Sequence, residues 1–248
     1  MASPSAPPKK RSWLRWVIGG VVVALLLFVG GPFVYIHFIE GDAPDKLSLS
    51  DVTTPSTAAG TTVAGATGNN ANGAPLAGTW KVADAGSTAG YRVKENLFGQ
   101  STTAVGRTSD VTGDITIAGT KLTKGSFSVD MTTVESDQNG RNNQFQGRIM
   151  DTATYPTATF ELTEPINLAP VPKNGVAKKY DATGKLTLHG TTKTVTIPLD
   201  TKRTGDTIAV QGILAIHFPD YNIDNPSGGP ANVGDDGQME FLLQFQPA

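Results

Sequence analysis

From residue 78 onward, apolar and polar positions alternate with a period of two. Phe127, Val129 and Met131 alternate with Ser128 and Asp130, and Leu186 and Leu188 with Lys185 and Thr187. Val195, Ile197 and Leu199 alternate with Thr194 and Thr196, and Met239, Phe241, Leu243 and Phe245 with Glu240 and Gln244. Successive side chains of a strand point to opposite faces, so each run has one buried and one solvated face, as antiparallel sheet requires. His189-Gly190-Thr191 predicts a hairpin turn, and Thr204-Gly205-Asp206 a second. About ten such runs can be counted. An open sheet of that width would expose its edges, and closure into a barrel removes them. The pattern thus predicts an all-β domain over residues 78–248, an antiparallel barrel.

One stretch breaks the alternation. Residues 136–150 are polar, with Phe145 and Ile149 four apart. That spacing predicts a short helix with Ser136 or Asp137 as its N-cap. Pro156 then restarts an extended strand through Phe160 and Leu162.

Upstream of the barrel the chain changes character twice. Residues 1–15 carry Lys9, Lys10, Arg11 and Arg15, and residues 16–39 contain no Lys, Arg, Asp or Glu. A helix over 16–39 would reach ~36 Å, against a hydrocarbon thickness of ~30 Å. Trp13 and Trp16 lie at one end and Tyr35 near the other, as interfacial aromatics do. Basic residues precede the span, and Glu40, Asp42 and Asp45 follow it. The positive-inside rule then places residues 1–15 in the cytoplasm and the barrel outside it, on the outer face of the cytoplasmic membrane. The apolar run exceeds a usual signal-peptide core, and no A-x-A-like site follows, so a retained transmembrane helix is expected rather than a cleaved signal. Residues 40–77 are rich in Ser, Thr, Ala, Gly, Asn and Pro without apolar periodicity, and are expected to be a disordered linker.

Charge and composition exclude several functions. The net charge of −2 offers no basic face for nucleic acid. The chain has no cysteine, which removes thiol chemistry, iron–sulfur ligation and a lipidated N-terminal Cys. His37, His189 and His217 are isolated, with no H-x-x-x-H pair, so no metal site is expected. Gly86-Ser87-Thr88-Ala89-Gly90 has its serine in the wrong place for a nucleophile elbow. Neither a P-loop nor a dinucleotide fingerprint occurs. Asp235-Asp236 reads as a solvated turn and His217 as a structural histidine. No catalytic residues are assigned, and the weight falls on a binding module that is not an enzyme.

Four blocks of sequence resemble the YceI-like polyisoprenoid-binding family. They are Thr79-Trp80-Lys81-Val82 with Ala89-Gly90-Tyr91-Arg92-Val93; Phe127 through Ser136; Arg141 leading into Tyr155-Pro156-Thr157-Ala158-Thr159-Phe160; and Gly184 through Lys193 with the later Phe218-Pro219-Asp220-Tyr221-Asn222-Ile223. Their order and spacing carry the likeness over most of residues 78–246. The chain departs from the family pattern at Glu95-Asn96-Leu97-Phe98-Gly99, where a His-Leu-Gly is common, and at Asn142, where an Asp commonly follows the matching Arg.

The resemblance implies an extended, lipocalin-like barrel holding an isoprenoid chain, a polyprenyl phosphate or an isoprenoid quinone, as ligand rather than as catalytic cofactor. The apolar faces that would line its lumen are Tyr91, Val93, Phe127, Val129, Phe160, Leu162, Leu186, Leu188, Val195, Ile197, Phe241 and Leu243. Arg141 and Arg148 are the candidates for a polar head group. The expected partners are an isoprenoid lipid and, through the anchor, the membrane; a homo-oligomer is compatible with the sequence. Alternation by itself fits a filled core equally well. The competing readings are therefore an extracytoplasmic interaction or structural ectodomain with a filled barrel, and an enzyme acting on such a lipid.

Overall fold

The computed structural model describes residues 12–25, 30–31, 43–52, 76–229 and 231–248. Residues 1–42 and 43–248 form two separate units. The first contains helix α1 (Ser12–Leu25), which begins inside the stretch expected to be cytoplasmic and carries exposed Trp16, Ile18, Val21 and Val23. No helix among the described residues is long and apolar enough to cross a membrane. Most of the expected span beyond Leu25 lies outside the described residues.

The second unit is the barrel. Its strands are β1 (Gly78–Val82), β2 (Thr88–Leu97), β3 (Gln100–Thr108), β4 (Val111–Ala118), β5 (Lys121–Asp130), β6 (Glu135–Ser136), β7 (Thr157–Leu162), β8 (Ile166–Asn167), β9 (Ala177–Leu188), β10 (Thr191–Thr204), β11 (Thr207–His217), β12 (Ala231–Val233) and β13 (Asp236–Pro247). The order β1-β4-β5-β7-β9-β10-β11-β13 closes into an antiparallel ring of eight, because β13 pairs back onto β1 with Val82 opposite Phe245. β2, β3 and β6 prolong β1, β4 and β5, so three long strands are interrupted midway. These interruptions explain why the strand segments outnumber the runs read from the sequence.

Both predicted hairpins form. His189 and Gly190 join β9 to β10, and both have positive φ, as a two-residue hairpin turn of matching twist demands. Gly205-Asp206 joins β10 to β11, with Thr204 opposite Thr207.

The barrel has two unlike ends. At one end, α2 (Asn139–Gln144) continues into a π-helical turn, Phe145–Ile149. The buried Phe145 ring stacks on Tyr91 with centroids 4.9 Å apart, roofing that end. Val134, Met150, Phe218, Tyr221 and Ile223 are also buried in the core. The expected helix is therefore present, but its N-cap is not. Gln138 stands at the cap without a side-chain bond, and the Ser136 hydroxyl is used instead by Gln138 N and Asn142 Oδ1.

Part of the expected coil is ordered. Residues 43–52 lie along the outside of the barrel, with Leu47 buried and a 3₁₀ turn at Leu49–Asp51 capped by Ser48. Arg92 and Arg107 donate to the carbonyls of Pro44 and Asp45. Both guanidiniums also reach Glu240, Arg107 at 2.8 Å and Arg92 at 3.5 Å. Glu240 is only 1% exposed, and the paired cations make such a buried carboxylate tolerable. Of the linker expected over 40–77, residues 43–52 are thus ordered against the barrel, residues 53–75 lie outside the described residues, and the first strand begins at Gly78. This strap orders through carbonyls that serve part-buried arginines, which apolar periodicity cannot reveal.

Candidate functional site

A cavity occupies the end of the barrel opposite α2. Its volume is ≈ 130 Å³, and it opens to solvent at its mouth. The floor is a cluster of three rings. Phe127 stacks on Phe160 at 5.5 Å, and Phe241 meets Phe127 at 5.3 Å. Glycines make room for two of them: a Cβ at Gly184 would run into the Phe160 ring, and one at Gly212 into the Phe241 ring.

The walls come from the halves of the strands nearest the mouth. Ile115 and Ile117 of β4, Leu162 of β7, Ile197 and Leu199 of β10, and Leu243 and Phe245 of β13 all face the space. Leu168, Val171 and Pro172 of the β8–β9 loop reach the rim. Thr201, Lys202 and Arg203 supply polar groups there. Arg203 lies 5.4 Å over the Trp80 ring and donates from Nε to the carbonyl of Gly205. This is a deep apolar slot with a polar lip, suited to a molecule with a hydrocarbon body and a polar end. Among the described residues no group of His, Asp and Glu could hold a metal ion.

Residues 80–245 match the YceI-like domain family, well over half of the chain. The chain belongs to the YceI-like family. The domain is similar to a polyisoprenoid-binding domain from Saccharophagus degradans implicated in plant cell wall breakdown. That likeness has a TM-score of 0.57 at 22% identity and covers 69% of this chain and 99% of the other. Burkholderia cenocepacia BcnA is similar at 26% identity and a TM-score of 0.52, covering 66% and 98% of the two chains. No curated protein sequence matches the chain.

Within this YceI-like domain the expected lumen residues divide into two groups. Phe127, Phe160, Leu162, Ile197, Phe241 and Leu243 line the cavity. Val129, Leu186 and Leu188 are buried beyond the aromatic floor, and Tyr91, Val93 and Val195 pack against the same core. All point inward, but the second group fills the half of the barrel under α2. The residues missed, such as Ile115, Ile117, Tyr180, Leu199, Val210 and Phe245, share the same alternation. What selects them is their place near the open end, which depends on strand register.

The two arginine candidates lie away from the cavity. Arg141 belongs to α2, where it pairs with Asp137 and, at 3.0 Å, with Glu95. Arg148 donates to the carbonyls of Asn225, Pro226 and Ser227. Neither lines the cavity; both tie the helical segment to the closed end. The departures from the family pattern sit there too. Glu95 is the partner of Arg141, and Asn142 Oδ1 accepts from the Ser136 amide at 2.7 Å. Tyr91 lies beside them, and burial pushes its phenol up to about 12, with the Arg141 charge acting in the opposite direction.

Proposed function

We propose that this YceI-like domain binds an isoprenoid lipid, with the hydrocarbon chain in the open-end cavity and the polar head at the lip formed by Thr201, Lys202 and Arg203. The observation that carries the reading is the combination of an aromatic floor, apolar walls and a single polar rim. A chain of methyl, methylene and vinyl groups matches those walls. Each buried methylene is worth about 0.8 kcal/mol relative to water. A lipid leaving a bilayer is already desolvated, so capture depends on proximity and on the head group more than on gross burial.

The same reading places the domain at the outer face of the cytoplasmic membrane, held by an anchor over residues 16–39. The basic cluster before the apolar run and the acids after it support that orientation. The exposed apolar side chains of α1 support an apolar environment for this helix. Sequestration or carriage of the lipid would follow from binding near the membrane.

Solvent extraction of the purified protein followed by mass spectrometry tests the reading. An isoprenoid at close to one molecule per chain is expected. A protein that purifies empty, and takes up neither a polyprenyl phosphate nor a quinone when offered, would refute it and leave an ectodomain with an unfilled pocket.

A further inference from the structure

The rim of the cavity has a composition that lipid binding alone does not require. The β8–β9 loop, residues 168–176, carries exposed Val171 (41%) and Val176 (50%), with Pro170 and Pro172 on either side of Val171. The loop is held in place from both sides. Lys178 Nζ and Tyr180 Oη donate to the carbonyls of Pro170 and Leu168, at 2.9 and 3.2 Å. Gly205 N donates to Asn174 Oδ1, and Gly175 N to the carbonyl of Arg203. The valines are thus presented to solvent by a braced loop. Val171 lines the mouth, whereas Val176 stands outside it.

Around this loop the charge is mainly positive. Lys121 and Lys124 on the neighbouring β5, Lys173 in the loop and Lys179 just after it are exposed, and Lys202 is half-buried beside the mouth. Lys179 is paired with Asp200 at 3.0 Å, and Asp51, Glu164, Asp181 and Asp206 are further acids towards this end, so the excess of positive charge is modest. The opposite end leans the other way: Asp220, Asp224, Asp235 and Asp236 lie from the end of β11 to the start of β13, with Asp137 and Glu95 nearby, against Lys193 (paired with Asp220 at 2.7 Å), Arg141 and Arg148. Charge is therefore separated along the barrel axis although the chain as a whole is nearly balanced.

We propose that the open end docks on the surface of an anionic phospholipid bilayer, with Val171 and Val176 entering the interface and the surrounding lysines lying among the head groups. The inference rests on the lipid-binding reading above and adds where the lipid is exchanged. Apolar side chains flanked by Lys are the composition that sits at a bilayer interface, since the lysine stems lie along apolar surface while the ammonium groups reach phosphates. The negative surface potential of anionic lipids attracts such a cluster over roughly a Debye length, ~10 Å at 0.1 M salt. The acidic end is repelled by the same potential, so the field orients the barrel mouth-down. A mouth pressed on the bilayer lets an apolar chain pass into the cavity without crossing water.

The chain has no native cysteine, so single-site labelling is unambiguous. Full-length V176C and D224C, each carrying a bimane fluorophore, are reconstituted in nanodiscs whose phospholipids are brominated on their acyl chains. Quenching at position 176 is expected in discs containing phosphatidylglycerol, several-fold weaker in discs of phosphatidylcholine alone, and absent at position 224. The charge reversals K121E, K124E and K173E, combined with V176C, are expected to remove most of the quenching. Equal quenching at both positions, none at position 176, or quenching indifferent to lipid charge and to the lysine reversals would overturn the proposal. Isoprenoid content measured on the same samples separates the two readings. Quenching with an empty cavity refutes the ligand alone, and an occupied cavity without quenching refutes the docking alone.

Discussion

Phe127 and Phe160 stack across neighbouring strands with ring centroids 5.5 Å apart, and Phe241 closes on Phe127 across the lumen. This contact divides the barrel. Beyond it Val129, Ala158 and Leu186 are packed tightly enough to be buried, and on its other side lies the empty slot. A filled core and an open cavity are competing readings of the same alternation, and the structure has a packed half at one end and a cavity at the other.

Gly212 stands directly opposite Phe241, where an added Cβ would meet the ring. Gly212→Ala should therefore displace the ring and lower stability by about 1–3 kcal/mol, measured by urea unfolding. Phe241→Leu should recover part of that loss when combined with it, because the clash is removed. Independent, additive effects would show that the glycine does not serve the ring.

The sequence made the barrel legible because its information is local. Alternation in β9, β10 and β13 set their inward faces, and His189-Gly190 and Gly205-Asp206 set two turns. Six of the twelve expected lumen residues border the cavity, because the same alternation turns them inward. Which end of each strand borders the cavity depends on how eight strands stagger around a ring, and no single strand contains that. The placement of Arg141 and Arg148 away from the cavity is not legible locally, because their partners, Glu95 and the carbonyls of residues 225–227, are distant in sequence. The strap at 43–52 was missed because its binding groups are backbone carbonyls.

The strap leads to a second prediction. Leu47 is buried on the barrel's outer face, so Leu47→Asp should release residues 43–52. Hydrogen exchange of the Asp51 amide, now bonded to the Ser48 carbonyl, should accelerate while β9 and β10 keep their protection. Unchanged protection of the Asp51 amide would show that Leu47 does not hold the strap.

Beneath the strap, Glu240 compensates two guanidiniums. Glu240→Gln keeps the shape and removes the charge. A loss of about 1–3 kcal/mol is expected, below the full value for a buried pair because Arg92 and Arg107 remain partly solvated. Thermal denaturation would measure it. An unchanged midpoint would mean that the arginines are satisfied by the strap carbonyls and solvent alone.

Tyr91 gives a pH signature. Burial raises its pKa from 10.0 to about 12, so the folded state retains the phenol proton where the unfolded chain loses it. This contribution to stability is complete below pH 10 and is lost as pH rises through about 12. The melting temperature of the wild type should therefore fall more steeply above pH 10 than that of Tyr91→Phe. The late step in the ultraviolet phenolate titration should also vanish in the variant. Parallel pH profiles and an unchanged titration would contradict the burial of this hydroxyl.

Lipid content in a cavity-filling variant tests the central claim most directly. Leu199 is half-buried on the cavity wall, and Leu199→Trp would place an indole in the slot without disturbing the aromatic floor. Wild type and variant are purified alike, checked for an unchanged thermal transition, and analysed for bound lipid by mass spectrometry. The account predicts about one isoprenoid per chain in the wild type and a loss of at least ten-fold in a variant that remains folded. A folded Leu199→Trp protein carrying the same lipid at full occupancy, or a wild type that neither holds nor takes up an isoprenoid, would contradict it.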